Sequence, residues 1–316
     1  TNFGTIRGKI FEFSVAGDLL KAKNWTVGGS FNISTANSEI LELPNDAPVV
    51  RDNVLDNGRY ITLINVGDPV GTFYGLKYEG VYNRDEDAFA KDANGKFLID
   101  FNGNKVPMRW ESQSGDIFTG GDARYADLNN DGVINKQDVT ALGNTNPKFY
   151  GGFMLRLNYK SMFELFSVFT YQSKFDIVNY AQAVTTSMYN SSNQSTIVSN
   201  RWRKQGDGVG DATDIPRALF GAGHNWVGSD RYVEDGSFIR FNSVSLTYRL
   251  QKELLSKLAL RSANLTLSVS NVKTFTNYSG VDPAIGANRN DPFRLGRDEA
   301  LTPIPIMYTL GVGVSF

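Results

Sequence analysis

Apolar and polar residues alternate with a period of two over seven separate segments of the chain. Successive side chains of a β-strand point to opposite faces, so each segment predicts a strand with one apolar and one polar face. In the third segment Phe153, Leu155 and Leu157 fall on one face, while Arg156 and Asn158 fall on the other. The seven predicted strands cover residues 6–16, 25–34, 149–160, 162–172, 238–250, 264–275 and 305–316.

The fifth predicted strand changes phase along its length. Ile239 and Phe241 are apolar before Asn242, whereas Val244 and Leu246 are apolar after it. A single extra residue in one strand produces such a change, so we expect a β-bulge near Asn242.

The connections between these strands are alternately short and long. Short turns are predicted at 17–24, 160–161 and 251–263, and long segments at 37–146, 173–230 and 276–303. A transmembrane β-barrel has short turns on one side of the membrane and long loops on the other, whereas a soluble β-sandwich has no reason to sort its loops. The pattern therefore predicts an all-β fold, an antiparallel transmembrane barrel whose apolar faces meet lipid.

Composition narrows the possible classes of protein further. The 316 residues carry a formal net charge of −1, which gives no basic surface for nucleic acid. The absence of cysteine excludes disulfides and thiolate metal sites. No apolar run reaches about 18 residues, so a helical membrane span is not predicted.

Residues 127–138 have the spacing of a calcium-binding loop, with Gly132 at the sharp turn in position 6. Asp138 stands where a bidentate glutamate is usual, so coordination is expected to be weaker. An Asx-rich turn without metal is the alternative, and in both cases the role is structural. The predicted ligands are the side chains of Asp127, Asn129, Asp131, Asn135 (directly or through water) and Asp138, with the carbonyl of Val133.

No catalytic residue is predicted. The single histidine, His224, lies in a polar loop without an obvious nucleophile and is interpreted as an ordinary surface residue. The glycine-rich run 206–210 follows no strand and opens no helix, so it does not predict a nucleotide loop.

Aromatic and basic residues of the second long segment are candidates for contact with a sugar, a peptide or a lid protein at the barrel mouth. The same residues could instead pack this segment against its neighbours. They are Trp202, Trp226, Tyr232, Arg201 and Arg203.

Several segments together resemble the SusC/RagA-type TonB-dependent outer-membrane transporters of the Bacteroidetes. They follow in order along nearly the whole chain, and the terminal strand completes the set. These segments are VGDPVGTFYG at 66–75, 121–138 with the calcium-type loop, 143–152, 231–248 with DGSFIR at 235–240, and 271–283 with TFTNY at 274–278.

The resemblance implies that the chain is the C-terminal part, about seven strands, of a large lumen-plugged barrel of 22 strands. By this interpretation residues 1–316 are a fragment without the plug domain, the TonB box and the first half of the barrel. Residues 37–148 are then expected to form a long extracellular loop region.

The resemblance also implies a function without enzymatic activity. It implies import of an oligosaccharide or peptide across the outer membrane of a Gram-negative bacterium. The implied partners are a SusD-like surface lipoprotein as the lid, the TonB complex through the N-terminal plug, and outer-membrane lipid. The alternative function is a soluble, calcium-stabilised, β-rich glycan-binding or adhesin module.

Overall fold

A computed structural model describes residues 4–52, 58–205, 213–284 and 296–316, so the glycine-rich run 206–210 lies outside the described residues. Seven long strands form one antiparallel sheet in which each strand pairs with the next one along the chain. The predicted sheet is confirmed. Its strands are β1 (Thr5–Lys21), β2 (Trp25–Glu42), β3 (Phe149–Tyr159), β4 (Phe163–Ser173), β5 (Phe238–Arg249), β6 (Ser262–Thr276) and β7 (Met307–Ser315).

The first two strands are longer than the alternation predicted. Only residues 22–24 separate them, closed by hydrogen bonds of 2.8 and 3.3 Å between the backbones of Ala22 and Trp25. The predicted turn at 17–24 is therefore too long. The reason is that the polar residues there continue the strand, since a register shift near Asp18 keeps the pairing in phase and Asp18 forms an ion pair with Arg156.

The predicted bulge near Asn242 is confirmed. The register shifts between Phe241 and Ser243 on β5, and the Thr170 hydroxyl on β4 donates to the side-chain oxygen of Asn242 at 2.9 Å. The extra residue keeps Phe241 and Val244 on the same face of the sheet despite their odd spacing.

One face of the sheet, the outward face, carries apolar side chains in rows that run across the strands, because directly paired residues share a face. A phenylalanine row has ring stacking at 4.4 Å between Phe153 and Phe169 and again between Phe169 and Phe241. Leu267 is 51% exposed and Leu310 is 68% exposed. An apolar face this open to solvent needs another apolar medium to cover it. A leucine-rich row contains Val27, Leu157, Leu165, Leu246, Leu267 and Leu310.

Aromatic rings mark both ends of the outward face. At the short-turn end Trp25 lies 4.4 Å from Tyr159, and Phe163 lies 4.9 Å from Tyr248, between ring centroids. At the other end stand Phe149 and Tyr171. The eleven residues of β3 span roughly 33 Å along the strand, or about 25 Å at a tilt of 35–45°, which matches the apolar band of a membrane barrel.

The three long connections, 43–148, 174–237 and 277–306, all leave the same end of the sheet, and the short turns lie at the opposite end. Together they fold into what we term the loop layer. Its strands are Val49–Asp52, Thr62–Ile64, Thr72–Gly75, Tyr78–Val81, Arg109–Trp110, Ala123–Tyr125, Val133–Ile134, Thr140–Asn144, Asp176–Asn179, Val233–Asp235 and Arg297–Asp298.

Helices are few and short. One α-helix, Tyr180–Thr185, lies in the loop layer, and another, Lys252–Lys257, occupies the short-turn link between β5 and β6. None of the described helices has the length and apolar character to cross a membrane, a result that concerns helical spans alone. The 3₁₀-helical turns are Pro44–Asp46, Asp85–Asp87, Lys136–Asp138, Thr196–Asn200 and Asp230–Tyr232.

The described part of the first connection, 43–148, folds around a core of its own although its sequence shows little alternation. Apolar residues of this connection, among them Leu76, Phe118 and Ile134, are fully buried in one core, which Val227 of the second connection completes. A second core joins Phe73 to Val178. The apolar residues are spaced for short strands and turns that pack on each other, so no long alternation shows in the sequence.

Candidate functional site: the polar face and the loop layer

The face of the sheet opposite the outward face is polar. Arg156 on β3 reaches over Gly28 on β2 to Asp18 on β1, with 3.3 Å between nitrogen and oxygen. A side chain at Gly28 would meet both partners, since a Cβ there would lie 3.1 Å from the Asp18 carboxylate and 3.2 Å from the Arg156 guanidinium. Further along this face Arg249 pairs with Glu164 at 2.9 Å. Such a face suits contact with water.

An arginine ties the polar face to the loop layer where β5 begins. Arg240 donates from Nε to the Thr274 hydroxyl at 3.1 Å and forms an ion pair with Asp282 of the third connection. Both side chains of this pair are 11% exposed. The connection is thereby anchored directly to the wall of the sheet.

A fully buried carboxylate, Asp122, holds the first and second connections together. Arg217 donates to both of its oxygens, at 2.7 and 3.2 Å, and the Asn225 amide donates at 3.0 Å. Thr119 adds its backbone N–H at 2.9 Å. We term Asp122, Arg217, His224 and Asn225 the Asp122 hub.

The charge of Asp122 is well compensated. Burial alone would raise the pKa of this carboxyl, but His224, Arg217 and the Thr119 N–H outweigh it and hold the pKa well below its ordinary value. The interpretation of His224 as a surface residue is wrong, because its side chain is buried against Phe118. Its Nε2 lies 3.6 Å from Asp122, longer than a hydrogen bond.

The calcium-type loop 127–138 has the course expected from its spacing. Gly132 adopts a φ of +80°, which favours glycine. Asp127 accepts from the backbone N–H of Gly132 at 2.8 Å, and Asp138 accepts from those of Leu128 and Asn135 at 2.9 and 2.8 Å. These bonds turn the carboxylates toward the backbone of their own loop.

Metal occupancy of this loop stays a prediction. Burial, and secondarily neighbouring carboxylates, raises the pKa of Asp127 and of Asp138, although backbone hydrogen bonds oppose this. Within residues 4–52, 58–205, 213–284 and 296–316, no group of three or more Asp, Glu, His or Cys side chains is arranged to hold a metal ion. The three carboxylates of the predicted ligand set, Asp127, Asp131 and Asp138, thus form no such group.

The five residues predicted to contact a ligand or lid do not share one surface. Trp226 and Tyr232 are buried in the second core, which fits the packing alternative. Trp202 lies against Gly121 and donates from Nε1 to the carbonyl of Asn83 at 3.2 Å. Arg201 and Arg203 donate to carbonyls of the preceding turn, at 3.2 and 2.8 Å. Contact of any of these residues with a ligand stays untested.

Sequence reasoning missed the Asp122 hub, because Asp122 lies 95 residues from Arg217 and 103 from Asn225. It also missed a tandem repeat whose signal was present, DANGK at 92–96 and DFNGN at 100–104. In both copies the aspartate accepts two backbone N–H groups of the same turn, at 2.8–2.9 Å. Phe101 stands at the second tip and is 97% exposed.

Comparison with known proteins agrees with this architecture. TonB-dependent receptors P3, P39 and P26 of Formosa agariphila are 27%, 28% and 26% identical to the chain over its whole length. The chain spans 29–31% of the length of these relatives. A scan against models of protein families gives no match.

Solved structures show the same fold. The RagAB peptide transporter matches with a TM-score of 0.71 at 21% identity, covering all of this chain and 30% of that one. The RagAB peptide importer in its open-open state matches with a TM-score of 0.70 at 19% identity, covering 99% of this chain and 29% of that one.

The chain is therefore similar over its whole length to TonB-dependent receptors, and its sheet has the fold of part of an outer-membrane β-barrel wall. The resemblance to SusC/RagA-type transporters inferred from the sequence is confirmed. The predicted location in the outer membrane of a Bacteroidetes-type bacterium is confirmed as well. The names of these relatives describe receptors and transporters, not enzymes.

Proposed function

We propose that this chain is part of the barrel and extracellular surface of a TonB-dependent importer of an oligosaccharide or peptide. One observation carries the proposal: a continuous seven-stranded sheet with an apolar outward face and a polar opposite face, whose long connections all fold at one end. The receptors that share its sequence and the RagAB fold support the same function.

The proposed direction of the strands puts the loop layer outside the cell. The polar face then borders the import path, and a SusD-like lipoprotein closes over the loop layer as a lid. TonB acts through a plug domain supplied by the rest of the receptor. Asn94 and Asn193 are exposed in the loop layer, so a cysteine at either position should react with an impermeant reagent on intact cells. If either cysteine reacts only after the outer membrane is permeabilised, the strands run in the opposite direction to the one proposed.

The import proposal is tested in cells that carry the full-length receptor. Uptake of labelled oligosaccharide and peptide mixtures is compared in wild-type cells, in cells without the receptor and in cells without TonB. We expect one substrate class to accumulate only when receptor and TonB are both present. Equal uptake in all three strains would contradict the proposal.

We further propose that calcium closes loop 127–138 in a structural role. Asp127, Asn129, Asp131, Asn135, Asp138 and the carbonyl of Val133 would hold it, and binding would draw the carboxylates together. The glycine in position 6 and the inward-turned carboxylates support this proposal. Calorimetric titration of the calcium-depleted receptor, with Asp131→Ala as the comparison, tests it. Indistinguishable heats for the two proteins would show that calcium does not bind to this loop.

A further inference from the structure

Lys273 interrupts the apolar outward face. Lys273 pairs with Phe241 and therefore stands at the end of the phenylalanine row. The other members of this row, paired strand by strand, are Phe31, Phe153, Phe169 and Phe241. Within the described strands Lys273 is the one charged residue that this register puts on the outward face between the Tyr159 and Tyr171 rows. A lysine in that position is costly unless its ammonium group reaches the membrane interface or meets an anion.

The lysine side chain extends toward the loop layer. Its Nζ lies 5.2 Å from the ring centroid of Phe275, two residues nearer that end of β6. Long cationic side chains take this course when they lift their charge out of hydrocarbon. Lys273 is exposed and forms no ion pair with any described residue. Its charge is thus available to an external anion.

Lys273 lines an open groove of about 860 Å³ at the end of the sheet that carries the loop layer. Apolar outward-facing side chains line the groove beside Lys273, namely Phe149, Tyr171, Ile239 and Phe275. Asp235 also borders it, but its carboxylate accepts from the backbone N–H and the hydroxyl of Ser237, at 2.9 and 2.5 Å. The groove therefore combines one free positive charge with apolar outward-facing side chains, next to polar residues such as Ser173 and Thr274.

Two more lysines stand at this end of the sheet. Lys174 is exposed, with its Nζ 5.3 Å from the ring centroid of Phe149, and Lys148 is exposed next to the same phenylalanine. Lysine binds phosphate as a point charge, so several ammonium groups suit a ligand with more than one phosphate. The apolar rows beside them suit acyl chains.

We propose that this groove binds a phosphorylated saccharolipid of the lipid A type, with a phosphate on Lys273 and acyl chains along the phenylalanine and leucine rows. The choice of this lipid rests on the proposed direction of the strands, which puts the groove in the outer leaflet. The bound lipid neutralises the lysine and covers the rim where the loop layer meets the membrane.

The full-length receptor, purified from outer membranes in mild detergent, provides the test. Native mass spectrometry counts the lipid A retained by wild type, Lys273→Met, Lys273→Arg and the control Lys257→Met, which lies in the exposed helix at the short-turn end. We expect Lys273→Met to lose most of the retained lipid, while Lys273→Arg and Lys257→Met keep it. A difference in gel migration between unheated and heated samples confirms that each variant is a folded barrel.

Two results would overturn the site: unchanged retention by Lys273→Met, or an equal loss from Lys257→Met. Added phosphatidylglycerol distinguishes the source of the phosphate, and its replacement of lipid A at equal concentration would overturn the choice of lipid. Labelling at Asn94 is the separate readout of strand direction. Its failure overturns the proposed direction, whereas unchanged retention with correct labelling overturns the lipid site alone.

Discussion

The sheet exposes large apolar side chains, whereas the loop layer buries them. In the sheet, large apolar residues such as Leu310 and Val312 are 68% and 72% exposed, and ion pairs such as Asp18–Arg156 lie on the other face. In the loop layer, Phe73 and Phe118 are 0% and 2% exposed, and the central carboxylate of Asp122 is buried. The loop layer therefore follows the rule for proteins in water, and the sheet follows the rule for a barrel wall in lipid.

Stability therefore comes from different sources in the two regions. Packing and a compensated buried charge hold the loop layer together, so removing a partner there should be costly in any medium. The outward face gains from lipid, so only changes that set charge against lipid should be costly there.

The largest effect is expected at the Asp122 hub. Asp122→Ala removes the carboxylate that accepts from the Arg217 guanidinium and from the Asn225 amide, and should destabilise the loop layer by about 3–5 kcal/mol. Hydrogen exchange of the first and second connections measures this loss. The exposed pair Glu79–Arg124, at 3.5 Å, is the matched control, and Glu79→Ala should cost less than about 1 kcal/mol. Equal destabilisation by the two substitutions would show that burial of the Asp122 hub adds nothing to the stability of the loop layer.

A charge on the outward face should have the next largest effect. Leu267→Arg, in the middle of the leucine-rich row, should destabilise the barrel in lipid by about 2–4 kcal/mol. Ser268→Arg changes the adjacent residue on the polar face and should be well tolerated. Denaturant unfolding of the full-length receptor in lipid vesicles compares the two. If Ser268→Arg proves the more costly change, the faces have been assigned the wrong way round.

The pKa of Asp122 sets the acid sensitivity of the loop layer. The folded-state pKa lies below the ordinary value of 3.8, so between these two values the unfolded chain binds more protons. The stabilisation from this group is complete above about pH 5 and is lost as the pH falls through the folded-state pKa. Asp122→Asn should flatten the acid limb of loop-layer stability. An unchanged acid limb would assign the sensitivity to other carboxyls.

The smallest effect is expected from calcium removal. Chelation should speed hydrogen exchange in residues 127–138 while the seven strands keep their protection, because the loop contributes no strand to the sheet. Asp131→Ala should show the fast exchange without chelator and gain nothing from added calcium. Protection that is indifferent to calcium in the wild-type protein would identify the loop as an Asx-rich turn.

The sheet was predictable because strand pairing obeys a local rule. Alternation fixed which residues of 264–275 share a face, and the phase change before Asn242 identified the bulge. The ends of β1 and β2 were not predictable from alternation. Asp18 continues β1 by pairing with Gly28 of β2, and its ion-pair partners are Lys21, which is near in sequence, and Arg156, which lies far along the chain.

The loop layer was predictable only where its motifs are local. Gly132 and the spacing of loop 127–138 indicated its course, whereas the burial of His224 depends on Phe118 and Asp122, both about a hundred residues away. Trp226 and Tyr232 were predicted either to contact a ligand or lid or to pack the segment against its neighbours, and they are buried in the second core, which three separate stretches build together. Long-range packing of this kind leaves no period in the sequence.

Spin labelling along β6 tests whether the outward face meets lipid. The chain contains no cysteine, so single cysteines at 264–269 each introduce one labelled site into it. In membranes, labels at 265, 267 and 269 should be relaxed by oxygen, which partitions into lipid. Labels at 264, 266 and 268 should respond to a water-soluble nickel complex. Equal accessibility at all six sites, or the reverse alternation, would show that the outward face does not meet lipid.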